Sequence, residues 1–217
     1  MLNLLIVLTA IILLTVLLHY ENSQNIKGLL PAKTLLSSLF VLAVLVQPHP
    51  ITHYYRFLLA GFLLCLVGDV CLAFQQEKMF LWGLISFLLG HVSYIFGFFY
   101  VAHPGAWTWG GSMIILCISS RVYFWLKPHL GAMKTPVLIY CIVITLMLSG
   151  AWSVLDNSHL TLSGRRMVFS GAFLFYISDV FVARDRFLKK EFFNRLVGLP
   201  LYYIGQFTLA FSVGFLE

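Results

Sequence analysis

Eight long apolar runs dominate the sequence and decide what this chain can fold into. As a helix, a run of about 17–25 apolar residues crosses the hydrocarbon core of a bilayer. Of the 217 residues, 60% are hydrophobic and 10% are charged, whereas a soluble domain has about 25% charged residues. We therefore expect an all-α membrane protein, an eight-transmembrane-helix bundle. The predicted spans are about 2–18, 29–46, 57–74, 79–99, 107–125, 135–155, 167–183 and 196–216.

The connections between these runs are short, which predicts a single polytopic membrane domain over residues 1–217. Basic residues concentrate after helices 1, 3, 5 and 7, where nine are found, against three in the other loops. The nine are Lys27, Lys78, Lys127, Lys134, Arg184, Arg186, Lys189, Lys190 and Arg195, and the three are Arg56, Arg165 and Arg166. By the positive-inside rule, the loops after helices 1, 3, 5 and 7 should be cytoplasmic. Short loops and this bias favour a bacterial inner membrane over the endoplasmic reticulum.

Two of the apolar runs contain an acid within the same short motif. "GDVCLAF" occupies 68–74 and "SDVFVAR" occupies 178–184, and both belong to a gap-free match of 56–73 with 166–183. The offset of 110 residues corresponds to four helices, so the two copies should cross the membrane in the same direction. This predicts a parallel internal repeat of helices 3–4 and 7–8, of the kind found in some transporters.

The motif acids, Asp69 and Asp179, lie five and four residues before the ends of their predicted spans. At the rise of an α-helix, both are roughly 6–8 Å inside the same, predicted cytoplasmic, face. Other polar residues fall at this depth or somewhat deeper on neighbouring helices, and we expect them to line a substrate-binding site. They are Lys33, His91, Tyr94, Tyr140, Tyr203 and Gln206.

A carboxylate within hydrocarbon is costly, so an intramembrane Asp usually faces a cavity or a partner. Two neighbouring carboxyl groups can share one proton, as acid/base pairs do. We therefore predict that Asp69 and Asp179 are catalytic. A structural ion pair, for example of Asp69 with Lys33, is the alternative. No metal site is expected, because His91 has no second His at ligand spacing and zinc needs three or four ligands.

Several motifs, taken in order, resemble the YhhN/TMEM86 family. They are "GDVCLAF", the following "GHVSY", "PVLIYCIVITLMLSGA" at 136–151, "SDVFVARDRF" and the following "YYIGQ". The resemblance implies lysoplasmalogenase activity: hydrolysis of the vinyl ether bond of a lysoplasmalogen to a fatty aldehyde and a glycerophospho-ethanolamine or -choline. It also implies that Asp69 and Asp179 are the functional acids and that no cofactor is needed. One departure is "PAKTL", where Pro31 precedes Lys33 and the family tends to have Lys-Pro, so the role of Lys33 stays open.

The chemistry of a vinyl ether suits a pair of acids. One neutral Asp would protonate the vinyl carbon to give an oxocarbenium ion, and the other, ionised Asp would stabilise this cation and then activate the attacking water. The expected partners are a lysophospholipid substrate in the bilayer and the membrane lipids, without nucleic acid; the oligomeric state stays open. The alternative is a small proton-coupled transporter or a lipid sensor that uses the same Asp pair. A transporter needs access from both faces, and its site usually lies near the midplane, so the off-centre acids favour an enzyme.

Overall fold

The computed structural model describes residues 1–74 and 76–216, and this part of the chain is helical almost throughout. It contains eight α-helices and two short 3-10 turns, Lys127–His129 and Gly131–Met133, between the fifth and sixth helices. The prediction of an all-α bundle is confirmed. The helices are α1 (Leu2–Asn22), α2 (Ile26–Leu45), α3 (Thr52–Leu72), α4 (Glu77–Val101), α5 (Ala106–Leu126), α6 (Lys134–Asp156), α7 (Leu162–Phe187) and α8 (Phe192–Ser212).

Local signals explain how some of these helices begin and are joined. The side chain of Asn25 accepts a hydrogen bond from the backbone N–H of Gly28 at 3.3 Å, which caps the start of α2. Pro128 follows the end of α5 and takes part in the first 3-10 turn. Gly131 has a φ of +52°, a left-handed conformation that glycine adopts without the strain of a side chain. The chain thereby reverses between α5 and α6 within a few residues.

Seven of the helices in the described part of the chain, α1 to α7, are long and apolar enough to cross a membrane. The chain is therefore a multi-pass integral membrane protein. The eighth helix, α8, has 21 residues but is less apolar. It carries Asn194, Tyr202, Tyr203 and Gln206, whose side chains are buried against the rest of the bundle. Its polar residues serve the interior of the protein and not the lipid.

Glycines allow two helix pairs to pack closely. A Cβ atom added at Gly90 of α4 would lie 3.2 Å from the carbonyl oxygen of Gly61 of α3. A Cβ atom added at Gly205 of α8 would lie 2.8 Å from the carbonyl oxygen of Gly171 of α7. Since small residues let helix backbones approach, α3 lies along α4 and α7 lies along α8.

Several further helix contacts correspond between the two halves, whereas α1 with α8 and α5 with α7 have no counterpart among the main contacts of the described residues. In the first half, α2 packs against α3 and α8, and α1 packs against α2. In the second half, α6 packs against α7 and α4, and α5 packs against α6. The arrangement agrees with a duplication, and the parallel repeat of helices 3–4 and 7–8 stays a prediction. Independently of that prediction, the ends of α3 and α7 that carry the two motif acids line one cavity at the same end of the bundle.

Candidate active site

A narrow cavity of about 100 Å³ lies where α3 and α7 end and α4 and α8 begin. Asp69 and Asp179 both line it, although they are far apart in sequence and belong to different helices. Lys33 of α2, Tyr140 of α6 and Tyr202 of α8 also line it. Residues from the two halves of the chain therefore contribute to one polar site.

Asp69 is surrounded by donors. Its Oδ1 atom lies 3.4 Å from the Nζ atom of Lys33. Its Oδ2 atom accepts hydrogen bonds from the hydroxyl groups of Ser37 at 2.7 Å and Tyr202 at 2.6 Å. The residue is 1% exposed, and Lys33 is 2% exposed. The ion pair that the sequence suggested as an alternative role is present, and it balances the charge of a carboxylate that has no access to bulk water.

Asp179 has different surroundings. Its Oδ2 atom accepts a hydrogen bond from the hydroxyl of Tyr140 at 2.7 Å. The Nε2 atom of His91 lies 3.6 Å from the same oxygen. Within the described residues, no Lys or Arg lies within 4.0 Å of this carboxyl group. Its side chain is 16% exposed, so Asp179 is the more accessible of the two acids.

His91 is fully buried beside this acid, and neither of its ring nitrogens has a hydrogen-bond partner among the described residues. Its ring lies against Phe175 and meets Tyr140 edge-on. A buried polar group without a partner is uncommon and requires an explanation such as an ordered water molecule. The ring therefore adds unused hydrogen-bonding capacity next to Asp179.

The other expected binding residues lie behind the cavity wall. Tyr94 donates a hydrogen bond to the side-chain oxygen of Gln206 at 3.0 Å, and Gln206 donates to the hydroxyl of Tyr202 at 3.2 Å. The hydroxyl of Tyr203 lies 3.1 Å from that of Ser37. These chains of hydrogen bonds hold the Asp69 partners in place. Lys33 and Tyr140 line the cavity, whereas His91, Tyr94, Tyr203 and Gln206 do not.

Two close partners of Asp69, Ser37 and Tyr202, were not among the residues expected from the sequence. The spacing of residues along an α-helix could have identified both. Ser37 follows Lys33 by four residues and so lies on the same face of α2. Tyr202 precedes Gln206 by four residues on α8. The sequence argument selected Tyr203 by its depth, but depth does not show which of two adjacent tyrosines points at the acid.

One part of the cavity wall, which we call the apolar branch, is largely apolar, and its hydroxyl groups of Ser119 and Tyr176 are hydrogen-bonded to each other. This part of the wall comes from α5, α6 and α7. Its side chains suit a hydrocarbon chain better than a polar group. The lining residues of this part are Val122, Leu126, Val137, Cys141, Ile144 and Tyr176. The site therefore combines a polar end with two carboxyl groups and an apolar branch inside the bundle.

Comparison with known proteins gives related sequences. The YhhN family model matches residues 29–213. Lysoplasmalogenase TMEM86B of Rattus norvegicus is 33% identical over 164 residues, which cover 73% of this chain and 62% of that protein. Lysoplasmalogenase TMEM86A of Bos taurus is 29% identical over 157 residues, which cover 70% of this chain and 62% of that protein. The lysoplasmalogenase of Mycobacterium bovis is 28% identical over 171 residues, covering 75% and 61%.

The chain thus spans about 62% of the length of the first of these relatives. No solved structure matches it.

Proposed function

Because this chain belongs to the YhhN family, we propose that it is a lysoplasmalogenase. In this reaction, water cleaves the vinyl ether bond of a lysoplasmalogen and yields a fatty aldehyde and a glycerophospho-ethanolamine or -choline. Relatives that carry this name match most of the chain, which supports the proposal. The observation that carries it is the pair of carboxyl groups, Asp69 and Asp179, in one cavity with an apolar branch.

The two acids differ in their neighbours, and this difference suggests their roles. Lys33 lies against Asp69 and balances a negative charge there, so Asp69 is the ionised member. Asp179 has no such cation among the described residues, and an unpaired carboxylate in apolar surroundings is costly. Asp179 is therefore the proton-bearing member. A protonated carboxyl group still accepts the hydrogen bond from Tyr140 through its carbonyl oxygen.

In the first step, Asp179 transfers its proton to the vinyl carbon farther from the ether oxygen. The electrons of the double bond form the new C–H bond, and positive charge develops on the other vinyl carbon and on the oxygen. The carboxylate of Asp69 stabilises this charge electrostatically, an effect that is strong in a site from which water is largely excluded. Asp69 acts here through its charge, because its oxygens already accept from Ser37 and Tyr202.

In the second step, water adds to the positively charged carbon. The water proton passes to Asp179, which is a carboxylate after the first step and is thereby returned to its starting form. The resulting hemiacetal loses the proton of its hydroxyl group as its bond to the glycerol oxygen breaks, and that oxygen gains a proton. The products are the aldehyde and the glycerophospho alcohol, and one water molecule is consumed.

The position of the site supports an enzyme over the alternative transporter. The cavity lies at the end of the bundle where α3 and α7 end, and a wider cavity adjoins it at the same end. An enzyme needs access from one face only. We place this end in the cytoplasm, on the basis of the nine basic residues at or next to the helix ends there. A bacterial inner membrane is the setting that we infer for the protein.

The test is to incubate the purified protein with a lysoplasmalogen and to analyse the products by mass spectrometry. We expect free aldehyde from the alkenyl lipid and no fatty acid from the acyl lysophospholipid, because an acyl ester has no vinyl carbon to protonate. Release of fatty acid would overturn the proposal.

Isotopes report the mechanism in the same assay. In D2O, the aldehyde, trapped at once by reduction, should carry one deuterium on the carbon next to the former carbonyl group. In water labelled with ¹⁸O, the glycerophospho product should remain unlabelled, because water attacks the vinyl side of the ether oxygen. Label in that alcohol would show cleavage on the glycerol side and would contradict the mechanism.

A further inference from the structure

The wider cavity, which we call the vestibule, has a volume of about 600 Å³ and adjoins the catalytic cavity. Phe80, Asp185 and Arg195 line both. The vestibule is formed by the ends of α1, α3 and α7 and the starts of α2, α4 and α8, and it contains charged residues of both signs. Any lipid that enters the catalytic cavity from this end passes these charges.

The acids of the vestibule are already paired. Asp185 lies 2.9 Å from the guanidinium group of Arg195, which is also 4.0 Å from Glu21. Glu191 is paired with Lys189 and, at 3.0 Å, with Arg184. The hydrogen bond from Lys189 lowers the pKa of Glu191, so this carboxylate is ionised and neutralises its neighbours.

Arg186, which also lines the vestibule, has no acidic partner of this kind among the described residues. Among the described residues, no carboxylate lies within 4.0 Å of it. Its guanidinium group instead lies over the ring of Phe80, 4.3 Å from the ring centre. A stacked guanidinium contacts the aromatic ring through its flat face. The N–H groups at its edge stay available to donate two hydrogen bonds to an acceptor such as phosphate. Since Phe80 lines both cavities, Arg186 is held at the passage between them.

The position of Arg186 on α7 matches the geometry of a lysophospholipid. It follows Asp179 by seven residues, which is close to two turns, so both residues lie on one face of the helix about 10.5 Å apart along the axis. In a lysoplasmalogen, seven bonds separate the vinyl carbon that Asp179 protonates from the phosphorus atom, a reach of about 9 Å when extended. The arginine side chain covers the remaining distance.

We propose that Arg186, held on Phe80, binds the phosphate of the lysophospholipid while its vinyl ether reaches Asp179 and its chain enters the apolar branch. This assignment rests on the proposed function for the identity of the lipid. Lys33, a basic residue of the catalytic cavity, is engaged with Asp69 and is therefore not free for this task. The vestibule thus selects lipids with a phosphate at a fixed distance from the reacting bond.

The experiment measures binding, so it does not depend on turnover. The probes are an alkyl glycerophosphocholine, which has the chain and phosphate but no vinyl bond, and the matching alkylglycerol, which lacks the phosphate. For Arg186→Gln in detergent solution, we expect the dissociation constant of the phospholipid to rise roughly 10- to 100-fold, the effect of losing charge-assisted hydrogen bonds. Binding of the alkylglycerol should stay unchanged. Arg186→Lys should be intermediate, since a lysine cannot bind in the bidentate, stacked manner.

Arg166→Gln is the matched control, because Arg166 is an exposed arginine near the opposite end of the same helix. It should leave both dissociation constants at their original values. An equal loss of alkylglycerol binding in Arg186→Gln, or unchanged binding of the phospholipid, would overturn the assignment. So would displacement of the phospholipid by equimolar glycerophosphocholine, since the headgroup alone would then suffice.

The two proposals can fail separately. If Arg186 controls phospholipid binding but the protein releases no aldehyde, the assignment stands and the lysoplasmalogenase proposal falls. If aldehyde is released and KM is unaffected by Arg186→Gln, the lysoplasmalogenase proposal stands and the assignment of Arg186 falls.

Discussion

The ammonium group of Lys33 lies 3.4 Å from the carboxylate of Asp69, and both side chains are almost completely buried. The second acid of the cavity, Asp179, meets Tyr140 and His91 instead. Two copies of one sequence motif therefore present their acids to different partners. In the mechanism that we propose, this asymmetry separates a charged from a proton-bearing carboxyl group within a single site.

Asp179→Asn should abolish turnover while the protein remains folded. Asn keeps the shape of the side chain but cannot deliver a proton to carbon, and a positioned acid or base typically contributes about 10²–10⁴-fold. The rate of aldehyde release measures the loss. Asp156→Asn is the control, since Asp156 is an exposed acid at the far end of α6. Near-normal activity of Asp179→Asn would remove this residue from the mechanism.

Asp69 and Lys33 should behave as a coupled pair in stability measurements. Lys33→Met leaves a buried carboxylate without its cation and should destabilise the protein by about 3–5 kcal/mol. Adding Asp69→Asn removes the stranded charge, so the double variant should be more stable than the sum of the two single effects. Unfolding in detergent solution gives the values. Strict additivity would show that the two groups do not interact.

Activity distinguishes the two roles of that pair. If Asp69 were purely structural, the folded double variant Lys33→Met/Asp69→Asn would retain turnover. We expect it to be inactive, because the charge that stabilises the oxocarbenium ion is gone. For the stability measurements on Lys33→Met, the exposed Lys190 provides the control, and Lys190→Met should not change the free energy of unfolding.

Tyr140→Phe should lower kcat roughly 10- to 100-fold, since the hydrogen bond of 2.7 Å to Asp179 is lost and such bonds contribute about 1.5–3 kcal/mol when one partner can be charged. The ring and its contact with His91 are kept. Tyr54→Phe removes a comparable buried hydroxyl that bonds to Ser212 near the opposite end of the bundle. It should leave kcat unchanged, so equal effects of the two variants on the rate would contradict a specific role for Tyr140.

Gly205→Ala should destabilise the packing of α7 and α8. The new Cβ atom would lie 2.8 Å from the carbonyl oxygen of Gly171, a backbone atom that can move only with its helix. Overpacking of this kind costs about 1–3 kcal/mol. Gly110→Ala is the matched control, since a Cβ atom there would meet nothing within 4 Å. Thermal unfolding should separate the two, and an unchanged midpoint for Gly205→Ala would show that the helix pair can adjust.

The sequence by itself determined the fold class and the position of the two motif acids along the axis of the bundle. Apolar runs of the required length predicted the helices, because a backbone in lipid must satisfy its own hydrogen bonds. The recurrence of Asp-Val-x-x-Ala placed Asp69 and Asp179 near one end of the bundle, because helical rise is constant. These features depend on local composition and on position in the chain, so no knowledge of packing was needed.

Only the tertiary structure decided which groups meet. Depth does not fix the rotation of a helix about its axis, so the sequence could not choose between Tyr202 and Tyr203 as the partner of Asp69. It left open whether Lys33 would bind the substrate or pair with Asp69, since α2 and α3 had to be oriented first. Rotation and pairing depend on how helices pack side by side, as where a Cβ atom added at Gly68 of α3 would lie 2.7 Å from the ring of Phe87 of α4. Those contacts join residues far apart in the chain, and their energies appear only when the whole bundle is assembled.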